Sequence, residues 1–326
     1  MKLSELVAYK NQLDLLSARP TWANADIELS KVTHTVATHD VQVDQMSDCL
    51  LTHKSKIQKH FELFERDLDE LKKQVDLLIE EAEKPMFQQS YRLYEEANNQ
   101  LNSDELYQEN IDYVLNRRLE VSDHMHDVYM GRLLRYTDWH YAAMIIHPGR
   151  ELFVKSMVAN DPLYLVDENY DLLKPAIDHF NPLYQNRLRI STVVEKLDAP
   201  LLPKIPNEQL GVCLAYNFFN HKPFEIIKLY LTEIYQKLKP GGTLIMTFND
   251  CDRYKAVMLV EQFFAAYTRG SMIKSWAEHV GFEETFCYHD DGPSTWIEFR
   301  KPGQLTSLRG GQTLAKIVPK PVAESK

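Results

Sequence analysis

The sequence predicts an α/β domain with a mostly parallel sheet, preceded by an all-α region that contains a coiled coil. Two observations carry this prediction. None of the 11 glycines occurs before Gly131, so the front of the chain lacks the residue most used in tight turns. From Trp139 onward, short apolar runs alternate with amphipathic ones, which is typical of strands that alternate with helices. We therefore predict a helical region over 1–138, the α/β domain over 139–302 and a C-terminal arm over 303–326.

The bulk composition is that of a soluble globular protein. The chain has 326 residues, a hydrophobic content of 44% and a formal net charge of -10. This charge argues against nucleic-acid binding, and no apolar run approaches the roughly 20 residues that span a bilayer. The first residues mix charges into apolar positions, unlike a signal peptide. We expect a cytoplasmic protein or, alternatively, a component of a larger assembly.

Metal chemistry is not expected. The four cysteines are far apart in the chain and form no CxxC pair, which indicates a reducing compartment and no zinc site. His124 and His126 lie about 200° apart on a helix, so they cannot bind one ion together and are predicted to be surface residues.

The front region carries a heptad stripe. Its apolar positions follow a 4-3-4-3-4-3 spacing: Ile57, Phe61, Phe64, Leu68, Leu71, Val75 and Leu78. One helix cannot bury such a stripe alone. The segment 103–139 is also helical in pattern and could cover the stripe within the chain. A second copy of the chain could cover it equally well, so a homo-oligomer through residues 57–78 and an intramolecular hairpin both stay open.

The back half contains five ordered sequence pieces. PLYLVDENYDLL places Asp167 at a strand end, and KLDAPLL contains Asp198 and Ala199. LAYNFFNH (Leu214 to His221) follows, then LKPGGTLIMTF (Leu238 to Phe248), where Pro-Gly-Gly is expected to end a helix and begin a strand. IKSWAEHVGFEE (Ile273 to Glu284) precedes two runs separated by Asp-Asp-Gly-Pro, which predicts a terminal antiparallel hairpin.

In this order and spacing, the chain from about Trp139 to Pro302 resembles the class I S-adenosylmethionine-dependent methyltransferase fold. The resemblance implies seven strands, mostly parallel, with an antiparallel last pair. It also implies that S-adenosylmethionine binds at the carboxyl ends of the strands. A base at this edge, with His221 and Asp250 as candidates, would serve a hydroxyl acceptor.

The resemblance assigns the cofactor contacts. The loop after the first strand, with His147 and Gly149, would approach the methionine and ribose part of the cofactor. Asp167 would bond the ribose hydroxyls, Asp198 and Ala199 would lie near the adenine, and Tyr216 would border cofactor and substrate. The loop reads His-Pro-Gly-Arg-Glu and offers one glycine where the family has several.

Two functions therefore remain open from sequence. The first is a methyltransferase acting on a small-molecule or sugar-like acceptor, since AYNFFNH lacks the (D/N)PP(Y/F) motif of amino-group methylation on bases or glutamine. The alternative is a catalytically inactive, methyltransferase-like structural or assembly protein. Such a protein would oligomerise through its N-terminal helices and could bind an assembly partner through its C-terminal arm.

Overall fold

The computed structural model describes residues 2–17, 43–101, 123–149, 151–196, 199–289 and 292–305. The chain divides into two compact units, Met1–Pro85 and Met86–Lys326. The boundaries predicted near residues 138 and 302 stay predictions. Residues 306–326, which make up most of the predicted arm, lie outside the described residues.

Within the described residues, the first unit contains two helices that run antiparallel. They are α1 (Leu3–Ser17) and α2 (Val43–Leu101), the second of which has Pro85 inside it and continues into the second unit. Lys10 of α1 pairs with Asp76 at 2.6 Å, and Asp14 pairs with Lys72 at 2.8 Å. The partner number falls by four as the α1 number rises by four, which fixes the antiparallel direction. The predicted stripe is thus covered in part by a helix of the same chain.

The helix α1 covers only one side of the stripe. Leu68 and Val75 are buried, whereas Ile57, Phe64 and Leu78 are 37%, 53% and 47% exposed. The buried pair share one heptad position and the exposed three share the other. Two further leucines on the exposed side, Leu63 and Leu77, are also exposed. Alternate positions of the stripe therefore have different environments.

The second unit contains the sheet. Its strands are β1 (Ala142–Ile146), β2 (Leu163–Asp167), β3 (Leu188–Thr192), β4 (Leu210–Ala215), β5 (Leu238–Asn249), β6 (Glu283–His289) and β7 (Ser294–Arg300). Its helices after α2 are α3 (Asp123–Leu133), α4 (Glu151–Ser156), α5 (Tyr170–Asp178), α6 (Pro182–Gln185), α7 (Phe224–Lys237), α8 (Tyr254–Glu261) and α9 (Gly270–Val280). A short 3₁₀ helix spans Phe219–His221. The segment 103–139, predicted as helical, is described in part and includes α3.

Within the described residues the sheet has seven strands in the order β3-β2-β1-β4-β5-β7-β6. The strands from β1 to β5 pair in parallel, and β7 pairs antiparallel with both β5 and β6. The α/β class, the mostly parallel sheet and the terminal hairpin are confirmed. The helical region before the sheet is confirmed as well, although a coiled coil between chains stays a prediction.

The sheet is buried on both faces, as continuous apolar strands require. Met144 and Ile146 of β1 point into one core, together with side chains of α7 and α9. Ala143 and Ile145 point into the other core, which α3, α4 and α5 cover. This alternation follows from the period of two in a strand.

The Pro-Gly-Gly stretch lies inside β5 rather than at the helix end. The helix α7 ends at Lys237, and β5 begins at Leu238. Gly241 has φ +81°, and the register with β4 shifts where the stretch bulges. A left-handed backbone at this point explains the glycine.

Within the described residues, no helix is both long enough and apolar enough to cross a membrane.

Candidate functional site

The switch in strand order defines the candidate site. The chain proceeds from β1 outward through β2 to β3, then returns to the other side of β1 with β4. In open α/β sheets, ligands bind at the carboxyl ends of the strands beside such a switch. We call the space above the carboxyl ends of β1 and β4 the crevice.

His147 follows β1 directly and pairs with the acid that ends β2. Its Nδ1 is in close contact with an Oδ atom of Asp167, and both side chains are buried. His147 adopts φ 57°, an unusual conformation for a residue with a side chain. Its Nε2 is buried and makes no hydrogen bond within the described residues. Asp167 also accepts a hydrogen bond from the backbone N–H of Glu168 at 2.8 Å.

A buried ionic cluster lies beside this pair. Lys222, which follows the 3₁₀ helix after β4, contacts Glu168 closely and contacts Glu195 at 2.8 Å. Glu195, located after β3, accepts a hydrogen bond from the Tyr230 hydroxyl at 2.7 Å and a short one from Tyr94. We call these five residues the Lys222 cluster.

The cluster shifts the pKa values of its two carboxyl groups in opposite directions. Burial lowers the pKa of Lys222, but Glu168 and Glu195 outweigh that effect and raise it. Burial raises the pKa of Glu195, yet Lys222 and the two tyrosine hydroxyls hold it below the ordinary value. For Glu168, burial prevails over Lys222 and raises the pKa. Glu195 and Lys222 thus form the firm ion pair, and Glu168 is the more easily protonated carboxyl.

The cluster crosses the crevice. Because β1 lies between β2 and β4, those two strands are about 10 Å apart. A contact from Glu168, after β2, to Lys222, after β4, therefore joins loops that follow the strands on either side of β1. The centre of the Phe218 ring lies 5.0 Å from Lys222 Nζ and 5.9 Å from the centre of the His147 ring.

These residues do not fit S-adenosylmethionine bound in the manner of the family. The carboxylate that would receive the ribose hydroxyls belongs to Asp167, which is 1% exposed and already paired with His147. The next residue, Glu168, is bound by Lys222. At Gly149 the backbone has φ 63° and open space around it, so the loop keeps one feature of a ligand-binding turn.

The remaining predicted cofactor residues are Tyr216, Asp198 and Ala199. Tyr216 is buried in the core on the α3 side of the sheet, with its ring 4.7 Å from Phe153 and 6.0 Å from Tyr129. The backbone N–H of Ala199 donates to Lys196 O at 3.5 Å. Asp198 lies outside the described residues. The cofactor roles of these residues stay predictions.

The two predicted bases have different surroundings. His221 ends the 3₁₀ helix and is exposed. Asp250 follows β5 and accepts hydrogen bonds from the Gly270 N–H and from the Thr295 hydroxyl, each at 2.9 Å. It thereby binds the first residue of α9, and burial together with Asp252 raises its pKa. The structure gives Asp250 this structural role, while its use as a base stays a prediction.

Sequence reasoning missed Tyr94, Glu195 and Lys222. They are far apart in the chain and match no motif, so their association depends on the strand order. Only the strand order could have pointed to Glu195 and Lys222, since these residues follow β3 and β4 in the chain. Tyr94 belongs to the long front helix and had no such signal.

Within the described ranges, no group of three or more His, Cys, Asp or Glu side chains is arranged to hold a metal ion. Burial raises the pKa of the thiols of Cys213 and Cys251 far above their ordinary value, so both remain protonated and unreactive near neutral pH.

Comparison with known proteins gives structural likeness alone. The sequence matches no protein-family model and no curated protein. The solved structures that match include the N-methyltransferase NodS from Bradyrhizobium japonicum with S-adenosyl-L-homocysteine (11% identity, 64% of this chain, 98% of that chain, TM-score 0.43). They also include an S-adenosylmethionine-dependent methyltransferase from Mesorhizobium loti (9% identity, 53% of this chain, 96% of that chain, TM-score 0.43). A third is the [4+2]-cyclase SpnF (13% identity, 56% of this chain, 84% of that chain, TM-score 0.43).

These scores are too low to support conclusions about ligand or reaction. The strand order β3-β2-β1-β4-β5-β7-β6, with its antiparallel last pair, is independent of them. On that topology, the second unit contains a class I methyltransferase-like domain.

Proposed function

We propose that this chain is a methyltransferase-like structural or assembly protein that does not transfer methyl groups. The observation that carries the proposal is the contact between Lys222 and Glu168 across the crevice. Catalysis of methyl transfer depends on an aligned sulfonium and acceptor in a shaped pocket. We infer that the side chains of Lys222 and Glu168 occupy the position where the cofactor would have to lie.

The first unit supports the assembly part of the proposal. Ile57, Phe64 and Leu78 recur at one heptad position and stay exposed beside α1. Exposed apolar residues in a regular stripe are typical of a helix that packs against another helix. A homo-oligomer formed through residues 57–78 would bury them. The arm over 303–326 could add a contact with a neighbouring subunit.

Thermal unfolding with and without ligand tests the absence of a functional cofactor site. At about 1 mM S-adenosylmethionine, a site with a Kd of about 10 µM would add roughly 2.7 kcal/mol to the stability. That amount would raise the Tm by several degrees in a protein of this size. We expect no shift with S-adenosylmethionine or S-adenosylhomocysteine. A saturable rise in Tm would support the methyltransferase alternative and overturn the proposal.

A further inference from the structure

A segment of α2 forms a strap between regions of the second unit that follow β5 and β3 in the chain. We define the strap as residues 86–94, which belong to the same compact unit as the sheet. Two sets of contacts fix it, one on the β5 side of the crevice and one on the β3 side.

On the β5 side, the strap binds the segment between α8 and α9. The Ser90 hydroxyl is buried and accepts a hydrogen bond from the Tyr267 N–H at 2.7 Å. The rings of Phe87 and Tyr267 meet edge to face at 5.0 Å. Gln89 donates to the Val260 carbonyl at 3.3 Å. These contacts combine backbone pairing with ring packing and do not depend on a charge.

On the β3 side, the strap is attached through Tyr94, which is buried in the core that α7 and α9 cover. Its hydroxyl bonds Glu195, and Lys222 Nζ lies 5.1 Å from the centre of its ring. Phe87 and Tyr94 are separated by about 10 Å along the helix. The segment that holds Tyr267 follows β5 in the chain and Glu195 follows β3, so the strap connects these two regions of the second unit.

The two attachments of the strap differ in whether they depend on a charged group. Glu195 can accept from Tyr94 as a buried carboxylate only while a cation compensates its charge. Lys222 supplies that cation and also contacts Glu168. Without the ammonium group, the buried carboxyl of Glu195 would face the partly buried carboxyl of Glu168, and one of them would have to take up a proton or move away.

We propose that Lys222 is the lock of this strap, so that loss of its charge releases the end of α2 at Tyr94 from the crevice. The inference rests on the proposed function, because it treats the crossing contact as the closed state of the crevice. It adds that the closure is conditional and depends on one buried cation. The β5-side contacts then act as the hinge about which the end of α2 moves.

Hydrogen exchange followed by mass spectrometry on the full chain tests the lock. Lys222→Met keeps the length of the side chain and removes the charge. We expect exchange in peptides covering 90–101 to rise about tenfold or more, while β1 and β4 stay protected. Lys228→Met is the matched control, because Lys228 of α7 lies over the rings of Phe224 and Trp276 and outside the cluster. It should leave exchange in 90–101 unchanged.

Tyr94→Phe tests the proposal if Lys222→Met unfolds the whole sheet. This variant removes only the hydroxyl that bonds Glu195 and leaves the charges in place. We expect a local rise of a few-fold in 90–101. Unchanged exchange there in Tyr94→Phe would overturn the proposal, as would unchanged exchange in a folded Lys222→Met. Because this measurement uses no ligand, its failure is distinguishable from a failure of the proposed function.

Discussion

Individual buried charges in the second unit are compensated by several partners each. The clearest example is Glu298 of β7, whose side chain is fully buried. Arg132 binds it with two nitrogens, Tyr136 donates at 2.6 Å and Trp296 at 3.0 Å. Burial would raise the pKa of Glu298, but these hydrogen bonds outweigh it and lower the pKa. The same contacts attach Arg132 of α3 to the sheet.

Glu298→Gln should destabilise the protein by about 3 kcal/mol, because it leaves the Arg132 guanidinium without its counter-charge. Urea unfolding at neutral pH measures this loss. Glu284→Gln is the control, since Glu284 pairs with Lys274 at an exposed position and should change stability by less than about 0.5 kcal/mol.

We also expect the stability loss in Glu298→Gln to depend on pH. The folded pKa of Glu298 lies below its ordinary value of 4.5, so its contribution is present above that pH and is lost as the pH falls through the folded pKa. The stability difference between wild type and Glu298→Gln should therefore shrink in acid. A difference that stays constant from neutral pH to acid would contradict the assignment.

Gly270 is required by its contact with Asp250. A Cβ at this position would lie 2.7 and 2.8 Å from the two carboxylate oxygens of Asp250. Gly270→Ala should cost about 2 kcal/mol in urea unfolding, because the acid must move away from the start of α9. Gly131→Ala is the matched control, since its Cβ meets nothing within 4 Å in α3 and should be neutral or stabilising. Equal effects of the two variants would contradict the structural role of Asp250.

At the level of elements, the stripe of α2 has one buried face and one exposed face. Leu68 and Val75 belong to the packing of the first unit, and Phe64 and Leu78 remain exposed. The sequence predicted the stripe because the heptad spacing is regular. It could not predict which positions α1 would cover, since both heptad positions are apolar and α1 carries no matching repeat.

Phe64→Asp with Leu78→Asp should convert an oligomer to a monomer in light scattering, with a change in monomer stability within about 0.5 kcal/mol. The contrasting variant Leu68→Asp should instead disrupt the unit itself and reduce helical circular dichroism, since it buries a charge under α1. An unchanged mass for the double variant would refute self-association through this face.

At the scale of the whole molecule, the fold could be predicted from the sequence and the closed crevice could not. The strand-end acids, Pro-Gly-Gly and the final hairpin occur along the chain in the order of the strands to which they belong. The sequence could therefore predict these strands one after another. The closure depends on Tyr94, Glu195 and Lys222, which come from three separate parts of the chain and meet only in the folded sheet. His147 was predicted as a cofactor contact, and the structure places it against the acid predicted for the ribose.

The central claim is that the crevice is filled by the chain's own side chains and binds no S-adenosyl ligand. Isothermal titration of the full chain with S-adenosylhomocysteine, up to about 1 mM, tests this claim most directly. The account predicts only the heat of dilution. Saturable heat with one ligand bound per chain would contradict it.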